Sequence, residues 1–111
     1  MTTLDLDVIS IRELNATLHS VEEGSNAAFE ILNPMGAHAV AVGLDSAVEV
    51  TIDGSTGYYC GGMNQKATIR IKGSAGPGVA ENMMSGKVIV EGDASQSAGA
   101  TLQGGLLVIK G

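Results

Sequence analysis

The residues of this sequence able to do chemistry are few and scattered. They are one cysteine, Cys60, beside Tyr58 and Tyr59; two histidines, His19 and His38; the pair Gly86-Lys87; and the run Gly73-Ser74-Ala75-Gly76-Pro77-Gly78. Phosphate binding is the first chemistry such glycines suggest. Gly86-Lys87 ends as a Walker motif does, but the position five before Gly86 is Glu81, and Val88 follows the lysine. The 73–78 run only loosely resembles a dinucleotide fingerprint, and no helical pattern follows it to present free N–H groups to a phosphate. Corners of a folded repeat account for these glycines better.

The other candidates fare similarly. His19 and His38 lack metal-ligand spacing, and a single cysteine holds neither a disulfide within the chain nor an iron–sulfur cluster. No histidine or cationic cluster lies near Cys60 in sequence to lower its pKa, so a structural thiol is favoured over a reactive one. Met83-Met84 suits a partner groove or, as methionine does more often, a gap in a core. The carboxylates form no acid–base pair. No catalytic, cofactor-binding or metal-binding residue is therefore assigned.

What would position any of these residues is a repeat. Val50-Thr51-Ile52-Asp53-Gly54, Ile69-Arg70-Ile71-Lys72-Gly73, Val88-Ile89-Val90-Glu91-Gly92 and Leu107-Val108-Ile109-Lys110-Gly111 share one form, and their closing glycines fall 19 apart. A fixed period near twenty marks a solenoid. Aliphatic residues at the first and third positions share one face of a strand, the charged fourth position points outward, and glycine turns the chain. Nineteen residues are too few for a strand–helix–strand unit, which needs roughly thirty, but suit one coil of a parallel β-helix. The expected fold is all-β: a right-handed parallel β-helix of about 19 residues per coil, the hand following that of parallel crossovers in general. Stacking places Asp53, Lys72, Glu91 and Lys110 in one outer column of alternating sign, worth about 0.2–1 kcal/mol per opposed pair. Gly57 falls over Gly76, a column that Ser95 breaks; Gly61, Ala80 and Gly99 form a small-residue column; Asn64, Met83 and Leu102 are expected to stack on a second strand.

Residues 48–111 make up the regular coils, incomplete at the carboxyl end, and 1–47 an amino-terminal strand, a helix and irregular first coils. Thr3 to Val8 alternates as a strand. Ser10 and Glu13 fit a capping box, and Ile11, Leu14 and Leu18 lie on one face of a helix over 11–19, expected to cover or lie near the open end of the stack. Ala28–Leu32 reads as a strand, Asn33-Pro34-Met35-Gly36 as a turn, and His38–Leu44 as a further strand. The net charge of −6 argues against general nucleic-acid binding. No apolar run reaches membrane-spanning length, and the start, with Asp5 and Asp7, is unlike a signal peptide. A cytoplasmic protein is expected.

From Gly54-Ser-Thr-Gly-Tyr-Tyr-Cys-Gly-Gly-Met-Asn-Gln-Lys66, through Gly73-Ser-Ala-Gly-Pro-Gly-Val-Ala-Glu-Asn-Met-Met-Ser-Gly86, to Gly92-Asp-Ala-Ser-Gln-Ser-Ala-Gly99 and Gly104-Gly105, the chain resembles the glycine-repeat β-helix domain at the carboxyl end of the large glutamate synthase subunit. The resemblance spans about residues 36 to 111. Within that superfamily it sits nearest the separate small-subunit form found in N-methylglutamate synthase, and formylmethanofuran dehydrogenase has a similar subunit. It implies a scaffold without catalytic residues, packed against a glutamine-amidotransferase-like subunit and a barrel subunit carrying FMN and an iron–sulfur cluster. Family members continue through further coils, whereas this chain stops just after a strand. Further coils or another copy are expected at that edge. The competing expectation is a free-standing interaction module that self-associates there.

Overall fold

In the computed structural model the described residues are 2–21, 27–95, 98–99 and 102–111. The elements are β1 (Thr2–Asp5), α1 (Ile11–His19), β2 (Ala28–Leu32), β3 (Glu49–Asp53), β4 (Thr68–Ile71), β5 (Lys87–Val90) and β6 (Leu106–Ile109). All the strands pair in parallel, each with the next in sequence, so the sheet order is β1 to β6. A sheet in which every chain neighbour is a parallel spatial neighbour is what a coiled chain produces. The molecule is an all-parallel β-solenoid of about four turns with one short helix, and a turn takes about 19 residues.

The register follows the alternation of the repeat. Val50, Ile69, Val88 and Leu107 stack in one column, and Ile52, Ile71, Val90 and Ile109 in another. The columns continue below through Phe29 and Ile31, and Leu4 lies under Ile31. Ile31, Ile52, Ile69, Ile71, Val88 and Val90 are completely buried, while Ile109 on the last rung is 43 % exposed. Branched aliphatic side chains fill this interior because the strands are close and each rung supplies two inward positions. The glycines form the expected file: Gly73 N–H donates to Gly54 O, Gly92 N–H to Gly73 O and Gly111 N–H to Gly92 O, each at 3.0 Å. Beside it runs a serine file, Ser55 Oγ accepting from Ser74 N–H at 3.0 Å and Ser74 Oγ from Asp93 N–H at 3.1 Å.

Both amino-terminal strands join the same ladder. Their coils are longer: Asp5 pairs with Leu32 and Leu32 with Asp53, separations of 27 and 21 positions. The extra length of the first coil accommodates α1. Ser10 Oγ accepts from Glu13 N–H at 3.1 Å and Glu13 Oε1 from Ser10 N–H at 3.3 Å, the capping box expected from sequence. Leu14 and Leu18 are buried, Asn15 bridges Ala39 O and Ala41 N–H at 2.9 Å each, and His19 Nε2 donates to Val42 O at 2.8 Å. The helix thus covers the 39–42 bend, on which residues of the next coil stack from the other side. Ser10→Ala is expected to lower stability by about 1 kcal/mol in thermal unfolding, with Ser10→Asn near neutral.

Three expectations need correction. The first strand ends at Asp5 rather than Val8, because Asp5 O accepts from Val8 N–H and Ile9 N–H at 2.9 and 3.0 Å and turns the chain, leaving Val8 exposed. Residues 38–44 form a run of turns, not a strand. So do 59–63 and 78–82, and no second strand carries Asn64 and Met83. The cause is the backbone: every second residue is left-handed, at Ala39, Ala41 and Gly43, then Tyr59, Gly61 and Met63, then Gly78, Ala80 and Asn82. β-Pairing is impossible there, yet the coils still bond to one another, as in Gly61 N–H to Val40 O at 3.0 Å and Ala80 N–H to Cys60 O at 2.9 Å. The column of Gly61, Ala80 and Gly99 is small because it faces the core: an added Cβ would fall 3.4 Å from Ile69 Cδ1 at Gly61 and 3.0 Å from Leu107 Cδ2 at Gly99, and Ala80 is completely buried. Asn64 is buried and closes a tight loop, its amide donating to Ala67 O at 2.8 Å and its oxygen accepting from Ala67 N–H at 3.0 Å.

On the outer face, Lys110 Nζ lies 3.3 Å from Glu91 Oε2, and Arg70 pairs with Glu91 Oε1. Among the described residues no ion pair joins Asp53 to Lys72. The hydrogen bond from Arg70 holds the Glu91 carboxyl below its ordinary value, slight burial opposing it and Lys110 assisting. Asp5 is likewise lowered, chiefly by the Asn33 amide at 2.9 Å. A carboxylate whose folded pKa is depressed adds stability above its unfolded pKa and loses it as pH falls through the folded value. Acid titration of stability should therefore show a loss beginning near pH 4.5 and continuing below it, with a shallower loss in Glu91→Gln.

Candidate functional site

Placing the chemistry-bearing residues on this scaffold removes most of them from consideration. The N–H groups of the 73–76 run are already used: Gly73 donates to Gly54 O, Ser74 to Ser55 Oγ, Ala75 to Asp93 O and Gly76 to Thr56 O. None is left to cradle a phosphate. Gly86 is a left-handed corner and Lys87 the exposed first residue of β5. His19 is committed to Val42 O at the end of α1, and His38 stacks against Tyr58. Among the described residues no three of His, Cys, Asp and Glu converge on a point that could hold a metal ion.

Cys60 is completely buried, and desolvation pushes its thiol up to about 12, the Thr56 hydroxyl opposing. That opposition is weak, since Thr56 Oγ1 makes no hydrogen bond of normal geometry. The thiol is therefore protonated and inaccessible at neutral pH, and thiolate is the reactive form. Iodoacetamide should leave the native protein unmodified and add one group per chain after unfolding in urea, read by mass. Of the methionine pair, Met83 is core and Met84 is half exposed.

The structure draws together residues that the sequence presents as separate. Tyr58, Tyr59, Pro77, Gly78 and Glu81 line an open cleft of about 300 Å³ where two coils stack. Tyr59 sits over Gly78 because the period brings them to one column, joined through Tyr59 N–H to Pro77 O at 2.8 Å. The tyrosine is left-handed, with φ 63°. Its ring packs against Gly62, where an added Cβ would fall 2.7 Å from Tyr59 Cε2. Tyr58 is 54 % exposed, and the His38 ring stacks on it with centroids 3.9 Å apart at 21°. His38 Nδ1 accepts from Tyr58 N–H at 3.0 Å, so the neutral imidazole carries its proton on Nε2. Chemically the cleft offers aromatic faces and one carboxylate. A smaller depression of about 200 Å³, lined by Glu49, Val50, Thr51, Thr68 and Arg70, lies on the sheet.

Sequence reasoning noted Tyr58 and Tyr59 only as neighbours of Cys60, and Glu81 only as a departure from a phosphate motif. The signal available was the period itself, which sets bulky Tyr59 over a glycine 19 residues on and leaves room for a cleft.

Over 61 residues the chain is 61 % identical to Protein GlxC of Rhizobium meliloti (strain 1021). The likeness covers 54 % of this chain and 27 % of GlxC, so the match spans about a quarter of that relative's length. No family model matches the chain. No solved structure matches it either. Among the described residues no helix is long and apolar enough to cross a membrane.

Proposed function

We propose that this chain is a structural, non-catalytic β-solenoid subunit or domain of a glutamate-synthase-type, FMN-dependent complex, and specifically of N-methylglutamate synthase, which forms N-methylglutamate from methylamine and glutamate with release of ammonia. The observation that carries the reading is the 61 % identity with GlxC, found in a chain whose glycine repeat folds as a parallel solenoid. The chemistry belongs to the partners: a glutamine-amidotransferase-like subunit, and a barrel subunit holding FMN and an iron–sulfur cluster. This chain holds them in place in the cytoplasm.

Pull-down of the tagged chain from its native host, followed by native mass spectrometry and visible absorption, tests this. The expected result is a heteromeric complex with a flavin spectrum in the partner. A monodisperse chain indifferent to flavin-containing partners overturns it. A second reading, a free-standing module that self-associates, predicts homo-oligomers in the same experiment; a similar subunit of formylmethanofuran dehydrogenase would instead return that enzyme's other chains.

A further inference from the structure

We infer that the Tyr58–Tyr59–Glu81 cleft receives the ammonium end of a lysine side chain from a docking protein. Tyr58 and Tyr59 are the only tyrosines of the chain, and both line the cleft. The faces of such rings attract a cation because the ring quadrupole places negative charge there. The ring of Tyr59 is fixed on Gly62 and that of Tyr58 on His38, so two aromatic walls stand ready without further ordering. Glu81 supplies the counter-charge: an added Cβ on Gly78 would meet Glu81 Oε2 at 3.0 Å, which puts the carboxylate beside Gly78 among the residues lining the cleft. Among the described residues no cation pairs with Glu81, whereas Glu91 on the sheet face holds both Arg70 and Lys110. A chain of net charge −6 adds long-range attraction for a cation.

The cleft is open to solvent. A free small amine would keep most of its hydration there and bind weakly, since small-ligand sites enclose most of their ligand. A lysine delivered by a protein surface loses little more on entering, because the surrounding contacts already hold it. The lysine as occupant rests on the scaffold reading; the preference for an ammonium rests on the cleft alone.

Nα-acetyl-lysine methylamide is the probe, followed by amide NMR on the full chain, with the uncharged Nα-acetyl-norleucine methylamide as its isostere. The lysine probe should give saturable shifts confined to Tyr58, Tyr59, Gly78 and Glu81, binding about tenfold tighter than the isostere. Glu81→Gln, a surface change that leaves the fold intact, should weaken it about fivefold, and Tyr58→Leu should weaken it further. Equal shifts with norleucine, no saturation, shifts spread over the surface, or an unchanged Glu81→Gln would each overturn the inference. None of those outcomes touches the scaffold reading, which stands or falls on the flavin complex.

Discussion

Ile71→Asp is expected to abolish folding, whereas Arg70→Asp, one residue away, is expected to leave the solenoid intact. Ile71 is completely buried in the middle of the inward column, between Ile52 and Val90. Removing an isoleucine from such a site costs about 2–5 kcal/mol. The aspartate that replaces it has no cation within reach and cannot be solvated, so its desolvation adds several kcal/mol more. Together these match the whole stability of a small domain, about 5–15 kcal/mol. Arg70 faces outward with its side chain 40 % exposed, and its pair with Glu91 is worth about 0–1 kcal/mol. Circular dichroism and protease resistance separate the two variants. Equal damage from both would remove the inward–outward assignment.

The second large effect is steric. A Cβ added at Gly76 would fall 2.7 Å from Gly57 C and 2.8 Å from Gly57 O, both backbone atoms of the coil below. Neither atom can swing aside, so Gly76→Ala must push two coils apart and stretch Gly76 N–H from Thr56 O, now at 3.1 Å. Overpacking of this kind costs about 1–3 kcal/mol. Gly36→Ala is the control: its Cβ meets nothing within 4 Å, and only its left-handed φ of 77° is strained. Chemical denaturation should show the greater loss for Gly76→Ala. A greater loss at Gly36 would mean that backbone strain, not coil contact, selects these glycines.

The contrast also shows what could be read without coordinates. Strands β3 to β6 and the glycine file are legible because one face is buried on every rung, which forces strict alternation and a constant period. The helix is legible because Ser10 and Glu13 satisfy each other's backbone groups locally. The bends are not. His38–Leu44 has the composition of a strand, and its left-handed residues include Ala39 and Ala41, which carry no sign of that conformation. What holds them is the coil above, through bonds such as Ala39 N–H to Tyr58 O at 2.9 Å. The register of β1 and β2 was hidden by separations of 27 and 21 positions. The cleft was hidden for a related reason: Tyr59 and Glu81 meet only once the coils are stacked.

Stacking itself is tested most directly by disulfide trapping on the outer face. Thr51, Arg70 and Ile89 occupy one column on successive rungs. Neighbouring rungs are about 4.8 Å apart, inside the Cα separation of roughly 4.4–6.8 Å that a disulfide accepts, and alternate rungs lie outside it. Thr51→Cys combined with Arg70→Cys should close within the chain under mild oxidation, while Thr51→Cys combined with Ile89→Cys should not, as peptide mapping would report. Closure of the second pair in preference to the first, or of neither, would contradict the solenoid and the function proposed on it.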